Sequence, residues 1–275
     1  MVASRGTLPC DWNSVTVMLA SVNQVKIKLL RGNISLLTSR DVAALAMSHS
    51  AAHQPLLIGN LNLHGVFLRE SNEKFARFCA QVDIMLADGM PLVWLSGAPA
   101  SARISSTDWI TELGVLAHGL KVLIVSGTPS DAAVTQQVLT ARFPRIHWDC
   151  VDGYAGAVMS SELRSKIDTA NVILVGMGMP LQEEWILENF SLLAPKVVAN
   201  VGGCFDYFNG RQKVPPRLLS SVGLEWLFRL LHSPRRLGRR YLVEPLHLIL
   251  IITRRSLFGY GKGATSSAPE GHRRS

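Results

Sequence analysis

The chain has 275 residues, of which 48% are hydrophobic and 17% are charged. This composition excludes an intrinsically disordered protein, and the length allows one large α/β domain with an added element or two small domains. The formal net charge of +8 is concentrated in residues 211–262, which hold eleven Lys and Arg residues against two acidic residues. Because the rest of the chain is nearly neutral, the basic character needs a local explanation.

Short apolar runs alternate with helical patterns along most of the chain. Residues 1–30 show no clear period and are predicted to be a partly disordered leader. The predicted strands are 33–37, 55–60, 84–87, 120–127, 146–151, 171–176 and 196–203. Thr38 or Ser39 is predicted to cap the first helix, and another capped helix is predicted over 130–142. This alternation predicts a doubly wound, mostly parallel, Rossmann-like α/β sheet over residues 31–212, covered by helices on both faces.

The lack of a recognisable targeting signal and the spacing of the cysteines indicate a cytoplasmic protein. The N-terminus lacks the uninterrupted apolar core of a signal peptide, and no stretch reaches the roughly 18 apolar residues of a membrane span. The four cysteines form no C-x-x-C pair, so we expect reduced thiols. The chain is therefore expected not to cross a membrane, and its oligomeric state, a homo-oligomer included, stays open.

Polar residues follow the predicted strands at the edge where ligands bind in parallel sheets. One such residue alone is more often a turn or cap residue than a ligand. Six loops that converge on one edge are stronger evidence, because the topology brings them together. The residues concerned are Asn60, Asn62, Asp88, Ser126, Gly127, Thr128, Asp152, Gly153, Tyr154, Gln182, Gly202, Gly203 and Asp206.

The stretch "VGMGMPLQEEWI", residues 175–186, predicts a strand, a tight turn and a helix N-terminus. Leu181 stands where a dinucleotide fingerprint needs its third glycine, so the motif is weak evidence for a cofactor. The chain also lacks a Walker lysine loop, a G-x-S-x-G elbow and a D-x-D pair. His49 and His53 have metal spacing, but a helix C-terminus favours His anyway. We therefore predict no cofactor and no metal site.

Asp88 follows a buried strand directly, in "ADGMPLVW". A carboxylate at the ligand-binding edge suits a general base. Asp88 is equally well explained as the N-cap of a helix that starts near Met90, and both interpretations stay open on the chemistry alone.

Residues 223–263 combine four arginines within six residues with Leu, Ile and Phe at helical spacing. This combination favours a peripheral helical segment on an anionic membrane surface. A helix packed on the core with a solvated basic face is the second interpretation. Nucleic acid is the least favoured partner, since such binders use fewer Leu and Ile residues.

Several blocks of this sequence occur in the same order in a known family. They are "LADGMPLVW", "RISSTDW", "VDGYAG", "VGMGMPLQEEWI", "VGGCFDYFNGRQKVPP" and "GLEWLFRLLHSPRRLGRRY", within about residues 30–245. The chain resembles the WecG/TagA/CpsF glycosyltransferases of bacterial cell-wall and surface polysaccharide synthesis. That resemblance implies a Rossmann-like core and a membrane-associating appendage over residues 213–260. Residues 261–275 are expected to be a disordered tail.

The resemblance also implies an activity. A sugar would pass from a UDP-sugar to a polyprenyl-diphosphate-linked sugar, with inversion and without a metal, on the inner face of the cell membrane. Asp88 falls on the family's proposed catalytic base. The substrate-binding residues implied are Asn60, Asn62, Arg103, Asp108, Tyr154, Gln182, Glu183, Asp206, Arg235, Arg236 and Arg239.

Two departures from the family pattern bear on the choice of sugar. Asn60-Leu61-Asn62 stands where the family often has Thr-x-Asn, and Val214-Pro215-Pro216 stands where it has Arg-Ala-Pro. The stretches "NLNLH" and "ADGMPLVW" lean towards the exopolysaccharide glucosyltransferase branch, with an N-acetylmannosamine donor as the other option. A nucleotide-binding regulator that has lost its catalytic activity is the alternative function.

Overall fold

The structure is a computed structural model that describes residues 22–27, 32–213, 225–232 and 234–257. The side chains of residues 225, 229, 236 and 255–257 are not among the described parts. The predicted disorder of residues 1–21 and 261–275 lies outside the described residues, as do Cys10 and Val214-Pro215-Pro216.

A parallel sheet of six strands forms the centre of the fold, in the order β4-β3-β8-β7-β5-β6. Two further short strands, β1 and β2, pair antiparallel in a separate sheet. The strands are β1 Gln24–Lys26, β2 Asn33–Ser35, β3 Leu56–Leu61, β4 Ile84–Ala87, β5 Lys121–Ser126, β6 His147–Val151, β7 Val172–Gly176 and β8 Val197–Asn200. The predicted α/β class, with a parallel sheet at its centre, is confirmed.

Helices flank both faces of this sheet and continue beyond it. They are α1 Ser39–Ala51, α2 Leu63–Ser71, α3 Glu73–Gln81, α4 Met90–Ser96, α5 Ser106–Leu116, α6 Pro129–Arg142, α7 Ser161–Thr169, α8 Leu181–Glu188, α9 Phe190–Leu193, α10 Phe205–Phe208, α11 Glu225–His232, α12 Pro234–Gly238 and α13 Glu244–Leu257. A π-helical segment, Arg239–Val243, joins α12 to α13, and short 3₁₀ turns cover Ala100–Ala102 and Gly202–Cys204.

Successive side chains of a strand point to opposite faces of its sheet, and this alternation builds two cores. Val172 and Leu174 of β7 pack under α1 and α5, whereas Ile173 and Val175 pack against α7 and α8. Because helices bury both faces, the central strands read as continuous apolar runs rather than as alternating patterns.

The first predicted strand, 33–37, is shorter than expected and belongs to the separate sheet. Its residues Asn33–Ser35 pair antiparallel with Gln24–Lys26, ahead of residue 31, the predicted start of the core. The side chain of Asn33 donates to Gln24 across the pair at 3.0 Å, and Ile27 and Ile34 are buried. Among the described residues, β2 pairs with β1 and with no other strand. The parallel sheet therefore begins with β3.

The C-terminal helix α13 packs on α2. Leu248 is buried in the same apolar cluster as Leu61 and Val66, and the rings of Phe67 and His247 stack with centroids 6.1 Å apart. The other face of α13 and the preceding segment leave several large apolar side chains exposed: Leu242, Val243, Leu246, Ile249 and Leu250. The predicted packing on the core is thus found for one face of the helix only.

Within the described ranges, no helix is both long enough and apolar enough to cross a bilayer.

Candidate functional site

A cleft of about 930 Å³ opens at the carboxyl ends of the parallel strands. Loops from β3, β4, β5, β6, β7 and β8 all contribute to its wall, as the sequence predicts for this edge. The C-terminal elements close one side of it, through Leu237, Arg239, Arg240, Tyr241 and Glu244. The site is therefore built jointly by the sheet edge and the basic segment.

Most of the predicted site residues meet in this cleft. Those that line it are Asn60, Asn62, Asp88, Arg103, Asp108, Tyr154, Asp206 and Arg239. Gln182, Glu183 and Arg235 do not line it, and Arg235 is exposed on α12. The side chain of Arg236 lies outside the described residues.

Asp88 stands in the cleft rather than at a helix cap. Its backbone N–H donates to Leu61 at 2.8 Å, which ties the end of β4 to the end of β3. Gly89, with a φ of 101° that favours glycine, occupies the N-cap position of α4. The N-cap interpretation of Asp88 therefore fails, and its half-buried carboxyl group lines the cleft.

The two asparagines of the β3 loop and Asp108 also hold local structure. Asn62 caps α2 by accepting from the N–H of Gly65 at 3.1 Å. Asn60 donates through its amide to the hydroxyl of Ser106. Asp108 completes a capping box with Ser105 at the start of α5. These residues line the cleft and fix its wall at the same time.

The glycine turn after β7 is dictated by close packing. A Cβ on Gly176 would lie 2.7 Å from the carbonyl oxygen of Gly202 and 2.7 Å from the hydroxyl oxygen of Ser126. Gly178 has a φ of 84°, and a cis peptide bond joins Met179 to Pro180. The motif "VGMGMP" therefore brings the chain closely past two neighbouring loops before α8 begins, and Gly176, Gly178 and Met179 form part of the cleft wall.

Gln182 and Glu183 lie behind that wall, fully buried. Gln182 accepts from the N–H of Gly202 at 3.0 Å and donates to Glu183 at 2.6 Å. Asn200 also donates to Glu183 at 2.6 Å and accepts from the N–H of Asn60 at 2.6 Å. This network links α8, β8 and β3 beneath the cleft. Contact of Gln182 or Glu183 with substrate stays a prediction, because the structure engages both side chains with the protein itself.

Burial of the Glu183 side chain changes the pKa of its carboxyl group. Desolvation raises its pKa to about 7, against the opposing effect of the hydrogen bonds that Gln182 and Asn200 donate. Its Oε2 is a buried atom with no hydrogen-bond partner among the described residues. The carboxyl group is therefore poised to gain or lose a proton near neutral pH.

Five arginines line the cleft: Arg103, Arg142, Arg211, Arg239 and Arg240. Arg211 forms an ion pair with Asp131 at 2.5 Å, and Arg142 lies 5.1 Å from the ring centre of Phe143. Arg142, Arg211 and Arg240 were not predicted from the sequence as site residues. Arg211 could have been found, since it stands in the block "FDYFNGRQK", five residues after Asp206.

The sequence did not predict the contact between His64 and Glu244, which also lies in the cleft wall. His64, in the first turn of α2, contacts Glu244, the first residue of α13, with Nδ1 and Oε2 2.5 Å apart. Their side chains are 15% and 9% exposed, and both line the cleft. Because 180 residues separate them, no spacing in the sequence predicts the contact.

Within the described ranges, His, Cys, Asp and Glu side chains form no group of three or more that could hold a metal ion. His49 is buried and its Nδ1 lies 3.1 Å from the carbonyl oxygen of Pro55, as its structural interpretation predicts. Cys79, Cys150 and Cys204 are free thiols. Burial raises the pKa of Cys79 and that of Cys150 to about 12, which makes both weak nucleophiles.

An α/β sheet with a polar, arginine-rich cleft at its carboxyl edge fits an enzyme that binds phosphorylated substrates. Residues 27–262 match the model of the glycosyl transferase WecG/TagA/CpsF family, and the chain belongs to that family. It is a glycosyltransferase, and the resemblance inferred from its sequence blocks is confirmed.

Curated relatives are similar over a large part of the chain. In three strains of Staphylococcus aureus (MRSA252, MW2 and NCTC 8325), the similar protein is named N-acetylglucosaminyldiphosphoundecaprenol N-acetyl-beta-D-mannosaminyltransferase. Each is 28% identical to this chain over 190 residues, which covers 67% of this chain and 75% of the relative.

Proposed function

We propose that this glycosyltransferase moves a sugar from a UDP-sugar to a polyprenyl-diphosphate-linked sugar, with inversion at the anomeric carbon, in bacterial surface polysaccharide synthesis. The observation that carries the proposal is the position of Asp88. Its carboxyl group lines the same cleft as five arginines, at the ligand-binding edge of the sheet. A base and a cationic wall in one cleft are what a single displacement between two diphosphates requires.

In the proposed reaction, Asp88 and the arginines of the cleft have separate roles. A hydroxyl group of the acceptor sugar attacks the anomeric carbon and loses its proton to Asp88. The bond between that carbon and the β-phosphate oxygen breaks, and UDP leaves with the bonding electrons. Arginine guanidinium groups such as Arg103 balance the charge on the diphosphate, since planar donors suit phosphate oxygens.

The donor nucleotide fits the side of the cleft formed by the loops after β5, β6 and β8. Asp152 accepts from the N–H groups of Tyr154 and Gly156, which shapes a tight loop and leaves the Tyr154 side chain exposed. Gly202, Gly203 and Asp206 face the same cleft. An exposed aromatic ring beside glycine-rich backbone suits a base that stacks and a sugar that approaches closely.

We propose UDP-N-acetylmannosamine as the donor, with UDP-glucose as the alternative. The names of the Staphylococcus aureus relatives support the first donor and an N-acetylglucosaminyl-diphosphate acceptor. The stretches "NLNLH" and "ADGMPLVW" motivated the second donor, and with it an exopolysaccharide as the polymer.

The discriminating experiment offers both radiolabelled donors to the protein with a short polyprenyl-diphosphate N-acetylglucosamine acceptor, and NMR spectroscopy determines the new linkage. We expect N-acetylmannosamine to be transferred with a β-configuration from the α-linked donor. Transfer of glucose alone would change the donor, and a retained α-configuration would exclude a single displacement. Binding of UDP without any transfer would favour the alternative, an inactive nucleotide-binding regulator.

The acceptor lipid places the enzyme at a membrane, which we propose to be the inner face of the cell membrane. Leu246, Ile249 and Leu250 are 57–65% exposed on one face of α13. Arg254 on the same helix and Arg235 and Arg239 before it are exposed as well. An exposed apolar face with basic neighbours fits peripheral binding to an anionic lipid surface.

A further inference from the structure

The arginines of the C-terminal elements reach the cleft from outside the sheet. Arg239 and Arg240 belong to the π-helical segment, which contacts the helices on either side of it in the chain, α12 and α13. Such segments are uncommon and often occur at functional sites. The placement of these two guanidinium groups therefore depends on how the next helix, α13, is docked.

Helix α13 docks on α2 through contacts of two kinds. Leu248 is buried in the apolar cluster with Val66, and the rings of Phe67 and His247 stack. The contact nearest to the cleft is polar: Nδ1 of His64 shares a hydrogen bond with Oε2 of Glu244, which immediately follows the π-helical segment. Apolar contacts are non-directional, whereas a hydrogen bond depends on the direction of its two partners, so this contact helps to set the rotation of the helix start relative to α2.

His64 is also held by the sheet edge. It lies two residues after Asn62, whose side chain caps α2 and lines the cleft. Burial lowers the pKa of His64, and the positive charge of Arg240 lowers it further, while the hydrogen bond to Glu244 opposes both effects. Arg240 is thus close enough to the pair for its charge to act on the imidazole ring.

We propose that His64 and Glu244 are positioning residues that hold Arg239 and Arg240 in the cleft wall and so set the affinity for the acceptor. This inference rests on the proposed function, and it adds a role for two residues that do not themselves need to touch substrate. The acceptor is the affected ligand, because these arginines share the C-terminal elements with the exposed apolar face, from which a lipid-linked substrate arrives.

The test measures the acceptor KM, kcat and the affinity for UDP in Glu244→Ala, Glu244→Gln and His64→Gln. Glu244→Ala should raise the acceptor KM by about tenfold, the loss expected for one charge-assisted hydrogen bond, and leave UDP affinity unchanged. Glu244→Gln should be intermediate, because its amide oxygen accepts from the imidazole without carrying the charge. His247→Ala is the matched control, since it changes the same helix interface outside the cleft.

An unchanged acceptor KM in Glu244→Ala would overturn the proposal, as would an equal rise in His247→Ala. If Glu244→Ala does not fold, the same comparison is made with Glu244→Gln and His64→Gln. Hydrogen exchange of residues 239–243 provides a readout that does not need activity, and it should quicken more in the Glu244 and His64 variants than in His247→Ala, which loses a docking contact farther from the segment. If the wild-type protein transfers no sugar, the proposed function fails, and hydrogen exchange still decides whether the pair holds the segment.

Discussion

Asp88 combines two properties that a base for sugar transfer needs. It is tied through its backbone to Leu61 at the strand ends, so its position is fixed. Its side chain stands in the cleft beside loops from the whole sheet edge, and Gly89 takes the N-cap position of the helix that follows. A structural role as a cap is therefore not available to explain it.

Replacing Asp88 by Asn tests the role directly. Asn keeps the size and most of the hydrogen-bonding ability, so the protein should fold and bind the UDP-sugar nearly as before. Turnover should fall by about 10²–10⁴-fold, the usual contribution of a general base. Turnover and UDP-sugar affinity are measured side by side, with a melting curve as the folding control. Near-normal turnover in a well-folded variant would mean that another group on this edge takes the proton.

The buried carboxyl group of Glu183 should make the stability of the fold depend on pH. Its folded-state pKa of about 7 lies above its ordinary value of 4.5. The folded state is therefore favoured below pH 4.5, where the carboxyl group is protonated in both states. This contribution, on the order of 3 kcal/mol, is lost as the pH rises towards 7. Glu183→Gln cannot ionise, so its melting temperature relative to wild type should rise between pH 5 and pH 8.

The matched control for that series is Glu188→Gln. Glu188 lies on the same helix, α8, but its side chain is exposed and pairs with Lys74 at the surface. Its substitution should leave the pH dependence of the melting temperature close to that of wild type. Equal pH slopes in wild type and Glu183→Gln would show that burial does not perturb Glu183.

The sequence predicts some of these residues better than others, for physical reasons. Asp88 and Asn60 follow apolar runs directly, so their place at the sheet edge can be read from the pattern. Gln182 and Glu183 follow a run in the same way, yet the tight turn through Gly176 carries them behind the wall. His64 and Glu244 meet only through tertiary packing, which leaves no trace in local spacing.

At the scale of the element, α13 has two faces with different surroundings. One face packs on α2 through Leu248, and the other exposes Leu246, Ile249 and Leu250. Burying each of these side chains in a lipid interface is worth about 1.5–3 kcal/mol at full burial. The exposed arginines add attraction to anionic headgroups, which salt screens.

Exchange of Leu246, Ile249 and Leu250 for Ser should weaken binding to anionic vesicles by at least about 100-fold, because three exposed apolar side chains that would enter the lipid are lost. The assay is co-sedimentation at low salt, and wild-type protein should be partly released at high salt. The control is a Val115→Ser, Val134→Ser variant, which removes two exposed apolar side chains from α5 and α6 instead. Unchanged sedimentation of the triple variant would exclude this face as the lipid contact.

The elements were largely predictable where a run of apolar residues is buried on both sides. Strands β3 to β8 lie within a few residues of their predicted ranges, and Thr38 caps α1 with a full capping box. The strand at Asn33–Ser35 was assigned to the wrong sheet, because its partner Gln24–Lys26 is short and polar and gives no strand pattern. The π-helical segment was not predicted, since its composition resembles that of an ordinary helix.

Across the whole molecule, we propose that the basic segment meets both substrate and lipid. Arg239 and Arg240 line the cleft, where they can meet a diphosphate, while Arg235 and Arg254 are exposed. These are four of the eleven Lys and Arg residues of the segment 211–262. A lipid-linked diphosphate needs both surfaces together, one for the lipid and one for the headgroup.

We propose that this cleft transfers a sugar with Asp88 and arginines in place of a metal ion. The most direct test of this proposal is transfer of radiolabelled sugar from a UDP-sugar to a polyprenyl-diphosphate-linked acceptor in excess EDTA. We predict that labelled lipid forms at an undiminished rate, because the guanidinium groups of the cleft balance the diphosphate charge. Loss of transfer in EDTA that Mg²⁺ or Mn²⁺ restores would contradict this metal-free mechanism.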